Sequence, residues 1–305
     1  MLALIPGRKG GEVVLFCQEK DKQKELWTGI ILGQKAAINE LGVDEALSIR
    51  NIDEVLPELI AGRDHVYYAI GKSKKFDVRV MEWVKTIRNM PRFNAYPPSE
   101  FLLLDNLLHE LRLIKSPAEI KLMRHAAKIS AEGHKRAMAR CKPGLNEYEL
   151  EAQLLYAFAR NGSRAPAYAS IVGSGDNACI LHYDSNKAEI KEGDLVLIDA
   201  GCEYEYYASD ITRTFPANGK FSAEQRAIYE IVLKAQKVAI EAVKPGASWD
   251  APHNASVKVI TEGLVRLGLL KGRPTQLIKS EAYKDFYMHR VGHWLGMDVH
   301  DVGNY

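Results

Sequence analysis

Hydrophobic and polar positions along the 305-residue chain follow two different rhythms. Up to about residue 110, short β-rich runs alternate with stretches of helical spacing. Glu12 to Cys17 and His65 to Ile70 read as strands, Asn51 to Ala61 and Phe76 to Asn89 as helices. That alternation predicts a small α/β domain. It opens abruptly, because a glycine-rich, basic segment leads into the first strand with no element before it. Residues 90 to 100, MPRFNAYPPSE, form a loop by composition. His65, in an apolar strand, reads as a core histidine, and Trp27, Tyr67, Tyr68, Trp83 and Tyr96 read as packing or interface residues.

The rhythm changes at LRLIKSPAEI, which divides the chain into domains of residues 1–112 and 113–305. Ser116, Pro117 and Glu119 carry the signature of a capped helix start, so a long helix is expected from about Pro117 to Cys141. Lys142-Pro143-Gly144 ends it, and Asn146 with Glu149 opens a second helix to about Arg160. Ser222 with Gln225 opens another helical run, followed by Lys244-Pro245-Gly246 and a helix to about Leu267. Helix, KPG, helix thus occurs twice, with the prolines 102 positions apart, and predicts a duplicated half-domain. The first copy continues into strands expected around Ile171, at Cys179 to His182, at Leu195 to Asp199 and at Tyr206 to Phe215. Gly144 to Phe215 spans 71 positions, whereas Gly246 to Tyr305 spans 59, so internal symmetry leads to the expectation that the chain lacks the last strands of its domain.

Composition excludes several function classes. Hydrophobic content of 47%, charged content of 26% and a net charge of +2 give no basic surplus for a nucleic-acid partner. No apolar run reaches membrane-spanning length and the N-terminus lacks a secretory signal pattern, so the expected address is the cytoplasm. Cys17, Cys141, Cys179 and Cys202 have no CxxC spacing, which argues against a zinc knuckle or a disulfide framework.

The candidate chemistry lies in DLVLIDAGCEYEYYASDITRTF, Asp194 to Phe215. Leu195 to Ile198 reads as a buried strand ending in Asp199. Asp210, eleven positions on, stands near the start of the returning strand with Thr212 and Thr214 on its face. Two carboxylates brought together in an apolar setting repel unless one is protonated or a cation lies between them. Two readings stay open here: a metal-binding pair, or a turn-capping Asp199 with a solvated Asp210. His289, His293 and His300 fall within twelve residues of one another on a glycine-loosened stretch that could carry imidazoles to a cavity, and His182 occupies the comparable strand region of the first copy.

With these residues in view, the chain resembles the Xaa-Pro aminopeptidase (aminopeptidase P) group of the creatinase, prolidase and methionine aminopeptidase superfamily. The segments that carry the resemblance are LRLIKSPAEI, IVGSGDN, ILHYDSN, GDLVLIDAGCEY, SDITRTFP, NGKFS and HWLGMDVHDVG. It implies an α+β fold: a duplicated pita-bread, creatinase-like domain, C-terminally incomplete here, preceded by a small N-terminal domain whose opening is missing. It also implies two divalent metal ions, most often Mn2+, held by Asp199, Asp210 and His293, with His182, His289 and His300 around the substrate. The implied activity is removal of the N-terminal residue from peptides with proline second, by a hydroxide bridging the metals. A homo-oligomer, dimer or tetramer, is implied as well. Carboxylate-rich ligation with one imidazole independently suits manganese better than a thiolate-seeking metal.

Two departures accompany the resemblance. The group completes its site with two glutamates on C-terminal strands, and this sequence ends before either. The motif written H-G-x-x-H has Arg290 where glycine is common. The expectation for the chain as written is therefore weak or absent activity. Alternatives are a prolidase-type Xaa-Pro dipeptidase, separable by assaying a dipeptide against a longer peptide, and a non-catalytic peptide- or protein-binding module, which the missing glutamates favour for this stretch.

Overall fold

A strand precedes the one expected at the start of the chain: β1 (Leu2–Leu4) pairs antiparallel with β2 (Val13–Cys17), and the glycine-rich basic segment is the turn between them. The abrupt opening read from the sequence is thus a hairpin whose first arm is too short to show a period. The computed structural model describes residues 1–90 and 96–304, and the chain divides into two units, Met1–Leu108 and His109–Tyr305.

The first unit continues with α1 (Lys22–Thr28), α2 (Gly33–Leu41), β3 (Glu45–Ser48), α3 (Ile52–Ile60), β4 (His65–Tyr68), α4 (Lys74–Arg88) and β5 (Glu100–Leu103). β3 lies parallel to β2, and β5 parallel to β4. Alternate residues of β2, Val14 and Phe16, are buried with Ile52, Leu56, Val80 and Trp83, which is the expected α/β packing of helix stripes on strand faces. His65 is exposed and pairs with Glu100 at 2.9 Å, so it is not a core histidine; the inward face of β4 belongs to Val66 and Tyr68. Of the proline-containing loop, residues 91–95 lie outside the described residues, and 96–98 are irregular as composition predicts.

The division between the units falls within α5 (Leu104–Leu113). The second unit is built on α6 (Pro117–Arg140) and α7 (Glu147–Arg160). Ser116 and Glu119 form the expected reciprocal cap, and Glu149 accepts from the Asn146 N–H. Ile129, Leu150, Leu154 and Phe158 from these helices meet Val172, Val196 and Ile198 from the strands. Those strands are β6 (Ala165–Pro166), β7 (Ile171–Ser174), β8 (Leu195–Asp199), β9 (Cys202–Tyr204), β10 (Tyr207–Ala208) and β11 (Thr212–Pro216). They form two antiparallel sheets, ordered β11-β8-β7 and β10-β9-β6.

Two strand expectations need correction. Tyr206 to Phe215 is not one strand: β10 pairs with β9, β11 pairs with β8, and Ser209–Ile211 crosses between the sheets. Cys179 to His182 forms no strand either; Gly175–Cys179 is a 3-10 turn and His182 follows in an irregular segment. Isolated runs such as CILH satisfy strand propensity, but the flanking Asn177 and Tyr183 bond through their side chains to Glu147 in place of a ladder.

The second copy supplies α8 (Ala223–Ala242), capped by Ser222 and Gln225, then α9 (Ala251–Arg266) and α10 (Pro274–Lys279). Gly144 and Gly246 both adopt left-handed φ, +88° and +82°, so the repeated KPG is a repeated backbone turn. Among the described residues no strand follows Pro216.

Candidate active site

In β8, Val196 and Ile198 point into the core, leaving Asp199 on the opposite face at the end of the central strand, with Ile171 and Thr212 beside it. The chain then turns at Gly201, where an added Cβ would come within 1.6 Å of the Ser209 carbonyl oxygen; only glycine permits the two backbones to touch. This approach brings Asp210 back beside Asp199, in the crossing between sheets and not within a strand. Backbone bonds Ser209 N–H to Cys202 O (3.0 Å) and Ala200 N–H to Ile211 O (3.1 Å) hold the crossing in place.

Tyr168, which no motif in the sequence singles out, completes the pair. Its hydroxyl lies 2.5 Å from Asp199 Oδ1 and 2.8 Å from Asp210 Oδ1. Ala167 N–H donates to Gly201 O at 2.9 Å and so anchors the tyrosine to the aspartate turn. Burial, reinforced by the two carboxylates, pushes the Tyr168 phenol far up, so it keeps its proton. One proton then faces two acceptor oxygens. Burial and the nearby Asp210 carboxylate also raise Asp199, against the hydrogen bonds from Tyr168 and Thr212 that hold it down.

His293 Nε2 lies 2.9 Å from Asp210 Oδ2, while Nδ1 lies 2.7 Å from its neighbour's carbonyl, Trp294 O. The bond to that carbonyl fixes the ring so that Nε2 faces the Asp210 carboxylate. This is the arrangement of a metal-ligating imidazole fixed by its second nitrogen. Two adjoining carboxylates and an imidazole nitrogen directed at one of them form a donor set that fits a divalent cation. As the side chains stand, however, no group of three or more His, Cys, Asp or Glu among the described residues is arranged to hold one.

The carboxylates open onto a cleft of about 410 Å³ bounded also by His182, Asp184, His300, Ile171 and Val299. The His300 ring packs against His293 with centroids 4.2 Å apart and the ring planes tilted by 45°. His182 stands on the opposite segment, held through its neighbour Tyr183, whose hydroxyl donates to Glu147 Oε2 at 2.7 Å. Glu147 is fully buried and accepts four further hydrogen bonds, from the Ser174 N–H and hydroxyl, the Asn177 amide and the Ala188 N–H. The loop carrying His293 and His300 is pinned by Ala208 N–H to Gly296 O (2.8 Å) and by Asp301, which pairs with Arg112 and Lys115. His289 stands apart: it is exposed, does not border the cleft, and bonds to the adjacent Arg290 carbonyl. Arg290 itself reaches Asp250.

Residues 121–305 match the model of metallopeptidase family M24, and residues 1–67 match the aminopeptidase P N-terminal domain. The chain therefore belongs to metallopeptidase family M24, within its aminopeptidase P group. It is 47% identical to the Xaa-Pro aminopeptidase of Escherichia coli K12 over 96% of its own length and 66% of that protein's. It is 46% identical to that of Haemophilus influenzae over 100% of its length and 68% of that protein's. The structure of Pseudomonas aeruginosa aminopeptidase PepP superposes with a TM-score of 0.98 at 60% identity, covering 100% of this chain and 69% of that one. A substrate complex of an E. coli aminopeptidase P variant gives a TM-score of 0.93 at 47% identity over 96% of this chain and 67% of that one. The chain thus spans about two thirds of the length of these relatives. The family is one of metallopeptidases, and the fold is the pita-bread fold of aminopeptidase P over the span covered. Among the described residues no helix is long and apolar enough to cross a membrane.

Proposed function

We propose that this chain carries metal-binding side chains and the substrate cleft of an Xaa-Pro aminopeptidase, a hydrolase that releases the N-terminal residue of peptides with proline in second position. The observation that carries the reading is the pairing of Asp199 and Asp210 at the Tyr168 hydroxyl on the wall of an open cleft, with His293 against the other oxygen of Asp210. Asp199, Asp210 and His293 are the residues that would hold metal, and their oxygen-rich donor set favours Mn2+. A divalent cation there supplies Lewis-acid activation of water and of the scissile carbonyl. The chain's own part is to present the carboxylates, to keep the Tyr168 proton on its oxygen, and to flank the peptide with His182 and His300, which can donate to its carbonyls or relay a proton. For His289 the support is the resemblance alone.

The test is release of free amino acid from Ala-Pro-Leu, Ala-Ala-Leu and Ala-Pro, with Mn2+ and after chelation. Metal-dependent cleavage of Ala-Pro-Leu alone supports the reading. Cleavage of Ala-Pro alone points to the dipeptidase, and cleavage indifferent to chelator overturns the metal assignment.

A second reading, a peptide-binding module without metal, draws on the Tyr168 hydroxyl standing between the two carboxylates. Calorimetric titration with Mn2+ separates the two: no uptake, with retained binding of a proline-second peptide, selects the module.

A further inference from the structure

The strand crossing that bears Asp210 is gripped from one side by α6. Ser130 Oγ lies 2.8 Å from Ser209 Oγ and accepts from the Cys202 N–H at 2.8 Å. One turn further along the same face, His134 Nε2 lies 2.9 Å from Ile211 O. Ser209 and Ile211 are the two residues flanking Asp210. The Ile211 carbonyl also accepts from Ala200, the residue after Asp199, so the segments bearing the two aspartates are joined at one oxygen and His134 binds that oxygen.

Both α6 residues are almost wholly buried, Ser130 at 0% and His134 at 3% exposure. The Nε2 contact to Ile211 O, 2.9 Å, is shorter than that of Nδ1 to Ser130 O, 3.2 Å, so the proton is assigned to Nε2 and donated to Ile211. A helix packing against a sheet has no general need for an imidazole and a hydroxyl on its inner face. Burying them is unfavourable unless their hydrogen bonds accomplish something an apolar side chain would not. Here those bonds hold the two residues on either side of a candidate metal ligand.

We propose that Ser130 and His134 are positioning residues that set the separation and aim of Asp199 and Asp210 toward a divalent cation, an inference that rests on the metal reading above. Neither touches the cleft. Both act through the backbone and hydroxyl on which Asp210 is strung, as outer-shell partners do for metal ligands generally.

The test is titration of the full chain with Co2+, read as binding affinity and as the visible d–d spectrum, which reports coordination geometry. Circular dichroism and thermal melts of the metal-free proteins are recorded alongside. His134→Leu and Ser130→Ala are expected to bind Co2+ about tenfold to a hundredfold more weakly with shifted bands. His134→Gln, whose amide can still donate to Ile211 O, is expected to recover the wild-type spectrum. Should His134→Leu fail to fold, Ser130→Ala carries the same comparison. Folded variants with unchanged affinity and bands, while Asp210→Asn abolishes uptake, overturn the positioning role and leave the metal reading standing. An unmodified chain that takes up no Co2+ overturns the metal reading, and the inference with it.

Discussion

Lys115 Nζ meets Asp301 Oδ2 at 2.8 Å with both side chains nearly out of solvent, 9% and 1% exposed. Arg112 joins from a more exposed position at 2.6 Å from Asp301 Oδ1. Burial works to raise Asp301, but the hydrogen bonds from Lys115 and Arg112 prevail and hold it below the ordinary carboxylate range. Asp301→Ala strands the Lys115 ammonium in the interior and is expected to cost about 3–5 kcal/mol in urea unfolding at pH 7. Replacing both partners by Lys115→Met and Asp301→Leu should cost less than the single change. Since the folded carboxyl is the stronger acid, this contribution is present above the unfolded pKa near 4 and is lost as pH falls through the lower folded value.

His134 produces a pH effect in a different window. Burial, and secondarily the Arg213 charge, lowers its pKa from 6.5 to about 4, so the folded chain keeps it neutral while the unfolded chain takes up a proton first. Stability is then complete above pH 6.5 and declines as pH falls toward 4, by on the order of 2–3 kcal/mol. Urea midpoints at pH 7, 6 and 5 should fall in wild type. In His134→Gln that share of the decline should vanish.

Glu147 is a buried carboxylate that forms no ion pair among the described residues and is stabilised by five hydrogen bonds at the first turn of α7. Burial would raise its pKa, yet bonds from Tyr183, Ser174 and Asn177 outweigh it and keep the group ionised. Glu147→Ala leaves the buried Ser174 N–H and the half-buried Ala188 N–H without acceptors and should destabilise by about 3 kcal/mol. It should also loosen the segment bearing His182, which increased proteolysis between residues 175 and 187 would reveal. Unchanged protection of that segment would count against its tether to the helix.

Tyr168→Phe removes the donor shared by Asp199 and Asp210. In metal-free protein the expected loss is about 1–3 kcal/mol of stability. Added Mn2+ should restore much of it, because a cation takes over the neutralisation. Equal losses with and without Mn2+, read by thermal melts, would mean that the hydroxyl serves packing alone.

The parts of this architecture governed by local chemistry were legible in the sequence. Ser116 with Glu119 and Ser222 with Gln225 announce helix starts within a single turn of chain, and both caps are present. The strand Leu195–Asp199 was likewise clear from its aliphatic run. Tyr168 was not, because its partners lie 31 and 42 positions away and nothing beside it in RAPAYASIVG implies a carboxylate. The break at Ser209–Ile211 was hidden for a related reason. TRTFP and YYA share one β-rich composition, and what separates them is the close approach at Gly201, a tertiary event. His293 and His300 could be grouped from their spacing, whereas the isolation of His289 depends on where the loop is pinned.

The Ile211 carbonyl has two lone pairs, and Ala200 and His134 occupy both. A solvent molecule entering to begin prying the hairpin apart finds no vacant acceptor there and must first break one of those bonds. The Ala200 amide should accordingly be among the last in the chain to trade its hydrogen for deuterium, opening only with the whole second unit. The acidic turn would then be held in a region that does not breathe, even though the cleft in front of it is open to solvent.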